Sequence, residues 1–272
     1  MQRRSKIAFG LAIAATATLA LAGCSTGASS DPSSSAAGGT DYGLITAGTL
    51  TVCSDIPYKP FEYEESTGSG QYTGFDVDLL TAIAKKLDLK TQFQVTNFDT
   101  LQSGTALLAG QCDMGASAMT ITDDRKKNID FSDPYYDSLQ SLLVKTSSGI
   151  KSINDLSGKN VGVQQGTTGE NYAKEHAKGA NLVQFSDDGV LWPALQGGQI
   201  DAILQDYPVN LQHEKDDSSY KVVEQYKTDE AYGFAFGKGK NETLRKAINE
   251  QLKALKDNGE YKTIYDKYFS AK

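Results

Sequence analysis

Strand-like and helix-like segments alternate along this chain in two successive runs, and that double series limits the fold more than any composition figure does. At 50–56, LTVCSDI mixes β-branched and small residues as a buried strand does. Residues 75–87 place Phe75, Leu79, Ile83 and Leu87 near one helical face. The segment 90–95 alternates with a period of two, 100–110 reads as a helix closed by glycine, and 112–119 reads as a buried strand. Thr120 and Asp123 have the spacing of a capping box ahead of a short helix. A second run begins with a strand at 141–145. It continues with a short helix at 152–156, strands at 160–164, 181–185 and 200–205, and helices at 168–177, 190–198 and from 208. Strand-like stretches at 221–225 and 231–238 precede two helices, 241–259 and 260–269. Two such runs imply two α/β units, each a sheet flanked by helices.

Composition narrows the function classes. With 39% hydrophobic and 22% charged residues, the chain is not collagen-like, wholly disordered or a polytopic membrane protein. Its net charge is -7, and the three cations of the first 23 residues, Arg3, Arg4 and Lys6, leave -10 for the remaining 249. An acidic body without a long basic run argues against nucleic acid as the partner. His176 and His213 read as surface helix residues, and neither they nor the three cysteines have zinc-site spacing. No Gly-x-Gly-x-x-Gly, Walker A or Ser-His-Asp arrangement occurs, so no metal, cofactor or catalytic group is expected. Gly166-Thr167-Thr168-Gly169 is a glycine-containing strand-to-helix turn whose free N–H groups suit an anion.

The N-terminus reads as an address. Residues 2–6 are positive, 7–22 form an apolar run of 16, and Leu21-Ala22-Gly23-Cys24 resembles the bacterial lipobox. The run is short for a spanning helix, which needs about 20 residues. Residues 1–23 are therefore expected to be a lipoprotein signal peptide. Residues 24–43 are expected to be a lipidated N-terminus, attached at Cys24, and a flexible Ser/Gly-rich tether. This places the body on the extracytoplasmic face of the cell membrane, held by lipid. Cys53 and Cys112 read as two small apolar fillers, although export also permits a disulfide between them.

Six landmarks occur in order: Ser54-Asp55-Ile56-Pro57-Tyr58-Lys59-Pro60-Phe61, Gly74-Phe75-Asp76-Val77-Asp78, Thr120-Ile121-Thr122-Asp123-Asp124-Arg125, Phe131-Ser132-Asp133-Pro134-Tyr135-Tyr136, Gly162-Val163-Gln164-Gln165-Gly166-Thr167-Thr168 and Asp201-Ala202-Ile203-Leu204-Gln205-Asp206. Together with Asn258-Gly259-x-Tyr261 and Tyr268-Phe269, they make residues 48–270 resemble the extracellular solute-binding proteins, family 3, of polar amino-acid ABC transporters. The resemblance implies an α/β, two-lobed, type II periplasmic-binding-protein-like fold. It has two mostly parallel sheets with helices on both faces, joined by two crossing strands. Lobe one would be 44–140 plus 234–272, and lobe two 141–233 including the hinge strands.

A body of this kind is expected to be monomeric, because one cleft closing on a small ligand needs no dimer, and non-enzymatic, because no catalytic arrangement is present in the sequence. By the same resemblance it would bind a polar or cationic amino acid of the glutamine, arginine, lysine, ornithine or histidine type and deliver it to an ABC permease with its ATPase. A ligand sensor for a membrane receptor and an exported dehydratase on the same fold are the alternatives. The chemistry of the residues fits. A zwitterion buried in a cleft needs a counter-charge and hydrogen bonds at each end. Arg125 can take both carboxylate oxygens with its planar fork. The N–H groups of Thr120 and Thr168 would add donors, and the Thr120 hydroxyl, the Ala118 carbonyl and Asp206 would receive the ammonium. Asp55 and Tyr58 look like the side-chain end of the pocket, with Phe98 and Gln164 as further candidates; Phe61 and Phe75 read as packing. The stretch from Phe98 to Asp113 is two residues longer than the family pattern, which loosens the register there.

Overall fold

The computed structural model describes residues 40–270. The expected signal peptide, the expected lipid site at Cys24 and most of the expected tether lie outside the described residues. Strand β1 (Thr49–Ser54) opens the body and is followed by a small hairpin, β2 (Tyr63–Glu64) with β3 (Tyr72–Thr73). Then come α1 (Phe75–Lys86), β4 (Lys90–Val95), the short α2 (Phe98–Gln102) and α3 (Thr105–Leu108), β5 (Met114–Gly115) and β6 (Ile129–Phe131). The long β7 (Tyr136–Lys145) leads to β8 (Asn160–Gln164), α4 (Thr168–His176), β9 (Asn181–Phe185), α5 (Asp188–Gln196), β10 (Ala202–Asp206) and α6 (Tyr207–Asp216). The long β11 (Tyr220–Tyr232) returns to β12 (Ala235–Gly237), α7 (Glu242–Asn258) and α8 (Glu260–Phe269).

The strands form two five-stranded sheets, in the orders β4-β1-β5-β12-β6 and β11-β7-β10-β8-β9. Each sheet is mixed. The βα-connected strands pair in parallel, as β1 does with β4 and β5, and β8 with β9 and β10. The strands that carry the chain between sheets pair antiparallel, as β7 does with β10 and β11, and β12 with β5 and β6. The expectation of mostly parallel sheets therefore holds only for the βα-connected strands. Crossing out and back reverses the chain direction, and a reversed strand has to pair antiparallel.

Both faces of both sheets are covered. In the first sheet, Leu50, Val52 and Met114 pack against Phe75, Leu79 and Ile83 of α1 and Leu244, Ile248, Leu252 and Leu255 of α7. Those four α7 positions recur every three or four residues, which puts them on one helical face. Its other face packs Ile129 and Ala235 against Phe98, Leu101 and Leu107 of α2 and α3. In the second sheet, one face packs Val161, Val163 and Leu204 with Ala173, and the other packs Leu143 and Ile203 with Leu191 and Leu195.

Several local readings change. Cys53 and Cys112 are not separate fillers but a disulfide, with Cα atoms 5.7 Å apart, because β5 pairs beside the end of β1. Only Met114–Gly115 of 112–119 is strand; the chain then leaves the sheet, with Ala118 at φ 42. The helix expected over 100–110 is split in two at Gly104, which has φ 81. The strand read at 221–225 extends from 220 to 232, because β11 is an edge strand whose outward residues are polar and hide its period. His213 is buried rather than exposed: it stacks on Trp192 and its Nε2 lies 3.0 Å from Asp188. His176 stays on the surface.

Candidate functional site

Residues from both sheets meet around one small cavity. Asp55, Gln164 and Asp206 stand where β1, β8 and β10 end. Ligands in open α/β sheets bind beyond the carboxyl ends of strands. All nine residues expected at the ligand site line this cavity. Asp55, Tyr58, Phe98, Ala118, Thr120 and Arg125 form the wall on the first sheet's side. Gln164, Thr168 and Asp206 form the facing wall, and Ser117 and Thr167 complete the lining.

Arg125 begins a 3-10 turn over 125–127 and is 5% exposed. Its Nη1 donates to the Thr120 carbonyl at 2.8 Å and its Nη2 crosses the cleft to the Gly166 carbonyl at 3.0 Å. The guanidinium sits 5.0 Å from the Phe98 ring centre. Among the described residues no carboxylate lies within 4.0 Å of it, so a buried cation is held by dipoles and a π face alone. Burial lowers Arg125 to about 10 against the opposing pull of Asp206 and Glu230. The neighbouring Lys126 and Lys127 are exposed and pair with Asp123 and Asp124.

Asp206 ends β10 at the start of α6, yet its side chain makes no cap bond to that helix. It accepts instead from Tyr58 at 3.0 Å, Tyr232 at 2.5 Å and Gln140 at 2.5 Å. Burial first, then the neighbouring Glu230, raises its carboxyl to about 7. Thr168 is likewise free of capping duty, because Thr167 is the residue that caps α4 through the Glu170 N–H. The capping box expected from Thr120 to Asp123 does not form. Thr122 accepts from the Arg125 N–H, and the Thr120 hydroxyl donates to Glu230 at 3.1 Å.

At the far end Asp55 accepts from Gln164 at 2.5 Å, a third bond across the cleft after Arg125 to Gly166 and Tyr58 to Asp206. Burial, with smaller contributions from Asp187 and Asp188, raises Asp55 to about 7. Phe98 belongs to both the core and the site: it lines the cavity and packs with Leu101 and Ile129. Phe61 and Phe75 are packing residues.

Behind the first wall lie two fully buried carboxyls, Glu62 and Asp76. Asp76 accepts from the Ala118 N–H at 3.1 Å and Tyr135 at 2.6 Å, and Glu62 accepts from Ser117 at 2.9 Å. Together they brace the left-handed turn at Ala118. Gly74 makes that placement possible: at φ 131, a Cβ there would lie 2.1 Å from the Phe61 carbonyl oxygen. Burial, followed by repulsion from Asp76, raises Glu62 well above the usual carboxylate range. Burial also raises Asp76, to about 7. Neither lines the cavity.

Sequence reasoning missed Glu230, Gln140, Tyr232 and Ser117. Tyr232 and Gln140 sit on the crossing strands and reach Asp206 by hydrogen bonds to it. No local motif marks these four. Ser117 alone gave a hint, as a small polar residue in an otherwise apolar stretch.

Two α/β sheets connected by a pair of crossing strands, with the cavity between them, define the two-lobed, type II periplasmic-binding-protein fold. Comparison with known proteins gives the same class and narrows it. Residues 50–271 match the profile of the bacterial extracellular solute-binding proteins, family 3, and the chain belongs to that family. It is 37% identical over 224 residues to a probable histidine-binding protein of Campylobacter jejuni, covering 81% of this chain and 84% of that one. It is 36% identical over 209 residues to the ABC transporter glutamine-binding protein GlnH of Bacillus subtilis, covering 75% of each. A solved structure of an ancestral arginine-binding protein bound to glutamine aligns with a TM-score of 0.76 at 38% identity, over 83% of this chain and 100% of that one. Among the described residues no helix is long and apolar enough to cross a membrane.

Proposed function

We propose that this protein captures one free α-amino acid with a polar or cationic side chain outside the cell and hands it to an ABC permease. The observation that carries this reading is the pair of buried, unlike charges on facing walls, Arg125 and Asp206, neither satisfied by an ion pair among the described residues. In this reading the ligand carboxylate takes the Arg125 fork and the N–H groups of Thr120 and Thr168. The ammonium goes to Asp206, the Thr120 hydroxyl and the Ala118 carbonyl. A zwitterion supplies each buried charge with its partner and so favours the closed cleft. Asp55, with Asp187 and Asp188 near it, makes the far end acidic, which favours a cationic or amide side chain over a carboxylate. Tyr58 and Phe98 would flank its aliphatic part, and Gln164 would be the polar contact from the second wall. The relatives with histidine-, glutamine- and arginine-binding names support the same ligand class.

The lipid anchor at Cys24 belongs to this proposal and would keep the captured ligand near the permease. The lobe limits 44–140 plus 234–272 and 141–233 would be the units that close. A dehydratase reading would require a further acid in the cleft with a raised pKa. Glu62 and Asp76 are raised but contact the wall from behind.

A thermal-shift screen against the twenty amino acids with ornithine and citrulline tests the proposal. Basic and amide ligands are expected to give the largest stabilisation, and a screen in which nothing stabilises the protein would end it. Asp55→Asn should reorder the ligands, weakening cationic ones most; an unchanged order removes Asp55 from the specificity end.

A further inference from the structure

Glu230 holds a position that the ligand chemistry above does not use. The pairing of β11 with β7 loses register between Tyr226 and Glu230, and Asp229 in that interval has φ 52. Just past this irregularity, one carboxylate oxygen of Glu230 accepts three hydrogen bonds. They come from Thr120 Oγ1 at 3.1 Å, Gln140 Nε2 at 3.0 Å and Thr168 Oγ1 at 3.2 Å. The three donors have different origins. Thr120 follows β5 of the first sheet, Thr168 opens α4 on the second, and Gln140 lies on the outgoing crossing strand. If the cleft opens about the crossing strands, Thr120 and Thr168 separate, and one carboxylate can then keep both hydroxyls only in the shut form. A hydroxyl also has a single proton. Once it is given to Glu230, the Thr120 oxygen presents only lone pairs to the cavity.

We infer that Glu230 is a positioning residue that clasps the two walls together on closure and fixes the Thr120 hydroxyl as an acceptor for the ligand's ammonium. The second half rests on the amino-acid reading above; the clasp itself does not.

Stopped-flow binding to wild type, Glu230→Gln and Glu230→Ala tests it. The probes are L-arginine and L-glutamine, with guanidinovalerate and glutaramate as their counterparts without the α-amino group. Loss of charge-assisted hydrogen bonds should raise the dissociation rates of both amino acids by about 10- to 100-fold, with association rates nearly unchanged and the ligand-free circular dichroism spectrum as in wild type. The counterparts should be weakened less than the amino acids. Dissociation rates within about 2-fold of wild type in both variants overturn the clasp. Equal weakening of amino acids and counterparts overturns the role toward the ammonium. If wild type binds none of the probes, the amino-acid reading fails separately, and small-angle scattering then decides the clasp. A larger radius of gyration for ligand-free Glu230→Ala supports it, and an equal radius removes it.

Discussion

The two walls of the cleft bury opposite charges by different means. On the first wall Arg125 rests on two carbonyl oxygens and an aromatic face. On the second, Asp206 is wrapped by two tyrosine hydroxyls and an amide. Fixed dipoles thus stand in for a counter-ion on both sides. The difference lies in what each charge does when pH changes. Burial leaves Arg125 at about 10, so it is cationic at neutral pH. The same burial lifts Asp206 to about 7, so the second wall alternates between neutral and anionic near physiological pH. The cation is therefore permanent, while the anion becomes fully formed once an ammonium arrives.

Truncating the permanent charge should have the largest effect. Arg125→Ala is expected to cost about 2–5 kcal/mol of ligand affinity, roughly 30- to 5000-fold, for every amino acid bound. Titration calorimetry checks this, and an affinity equal to wild type would break the comparison at its first wall. Next is the bond that ties the first sheet to that wall. Replacing both Cys53 and Cys112 by alanine opens a link spanning 59 positions. It should lower unfolding free energy by about 2–4 kcal/mol in urea titrations, with ligand order unchanged. A variant as stable as wild type would show that the wall does not depend on the bond.

The variable charge predicts pH effects of opposite sign. Asp55, Asp76 and Asp206 have folded-state values near 7 against an ordinary 3.8. Their contribution to ligand-free stability is fullest below about 4 and declines as pH rises to about 7, by up to ~1.4 kcal/mol per pH unit for each group. Affinity should move the other way across that window. A ligand ammonium favours ionised Asp206, so binding releases protons below pH 7 and tightens as pH rises towards it. Calorimetry at pH 6 in buffers of different ionisation enthalpy reads the released proton, and Asp206→Asn should abolish most of it. Proton uptake would reverse the assignment. The smallest effect is expected at the exposed bridge between the lobes, Lys59 to Asp216 at 2.9 Å. Lys59→Met should change affinity by no more than about 1 kcal/mol, less at high salt, since exposed pairs contribute little; a larger loss would mean that closure is held from the rim.

How much of this was legible beforehand differs by residue. Arg125 and Asp206 belong to contiguous motifs, so the sequence alone marks both as ligand candidates. Glu230 is not marked in this way. It falls between two stretches read as strands, 221–225 and 231–238, in a polar segment with no period, and only past the register shift does it meet the hydroxyls of Thr120 and Thr168. His213 was hidden for a related reason. Lys215 and Asp216 on α6 are exposed, while the imidazole turns in to Trp192 and Asp188. The Thr120 to Asp123 spacing pointed to a cap, but a carboxylate 110 positions away took the hydroxyl.

Sequence alone determined the double α/β alternation, the amphipathic face of α7 and the charged groups offered to a ligand, because each is written in neighbouring residues. Tertiary structure alone decided the Cys53–Cys112 bond, the hydrogen bonds of Thr120 and Thr168 to Glu230 and the pairing of Tyr58 with Asp206 across 148 positions. Such contacts depend on where distant segments stop in space, and on which polar group must find a partner once water is gone.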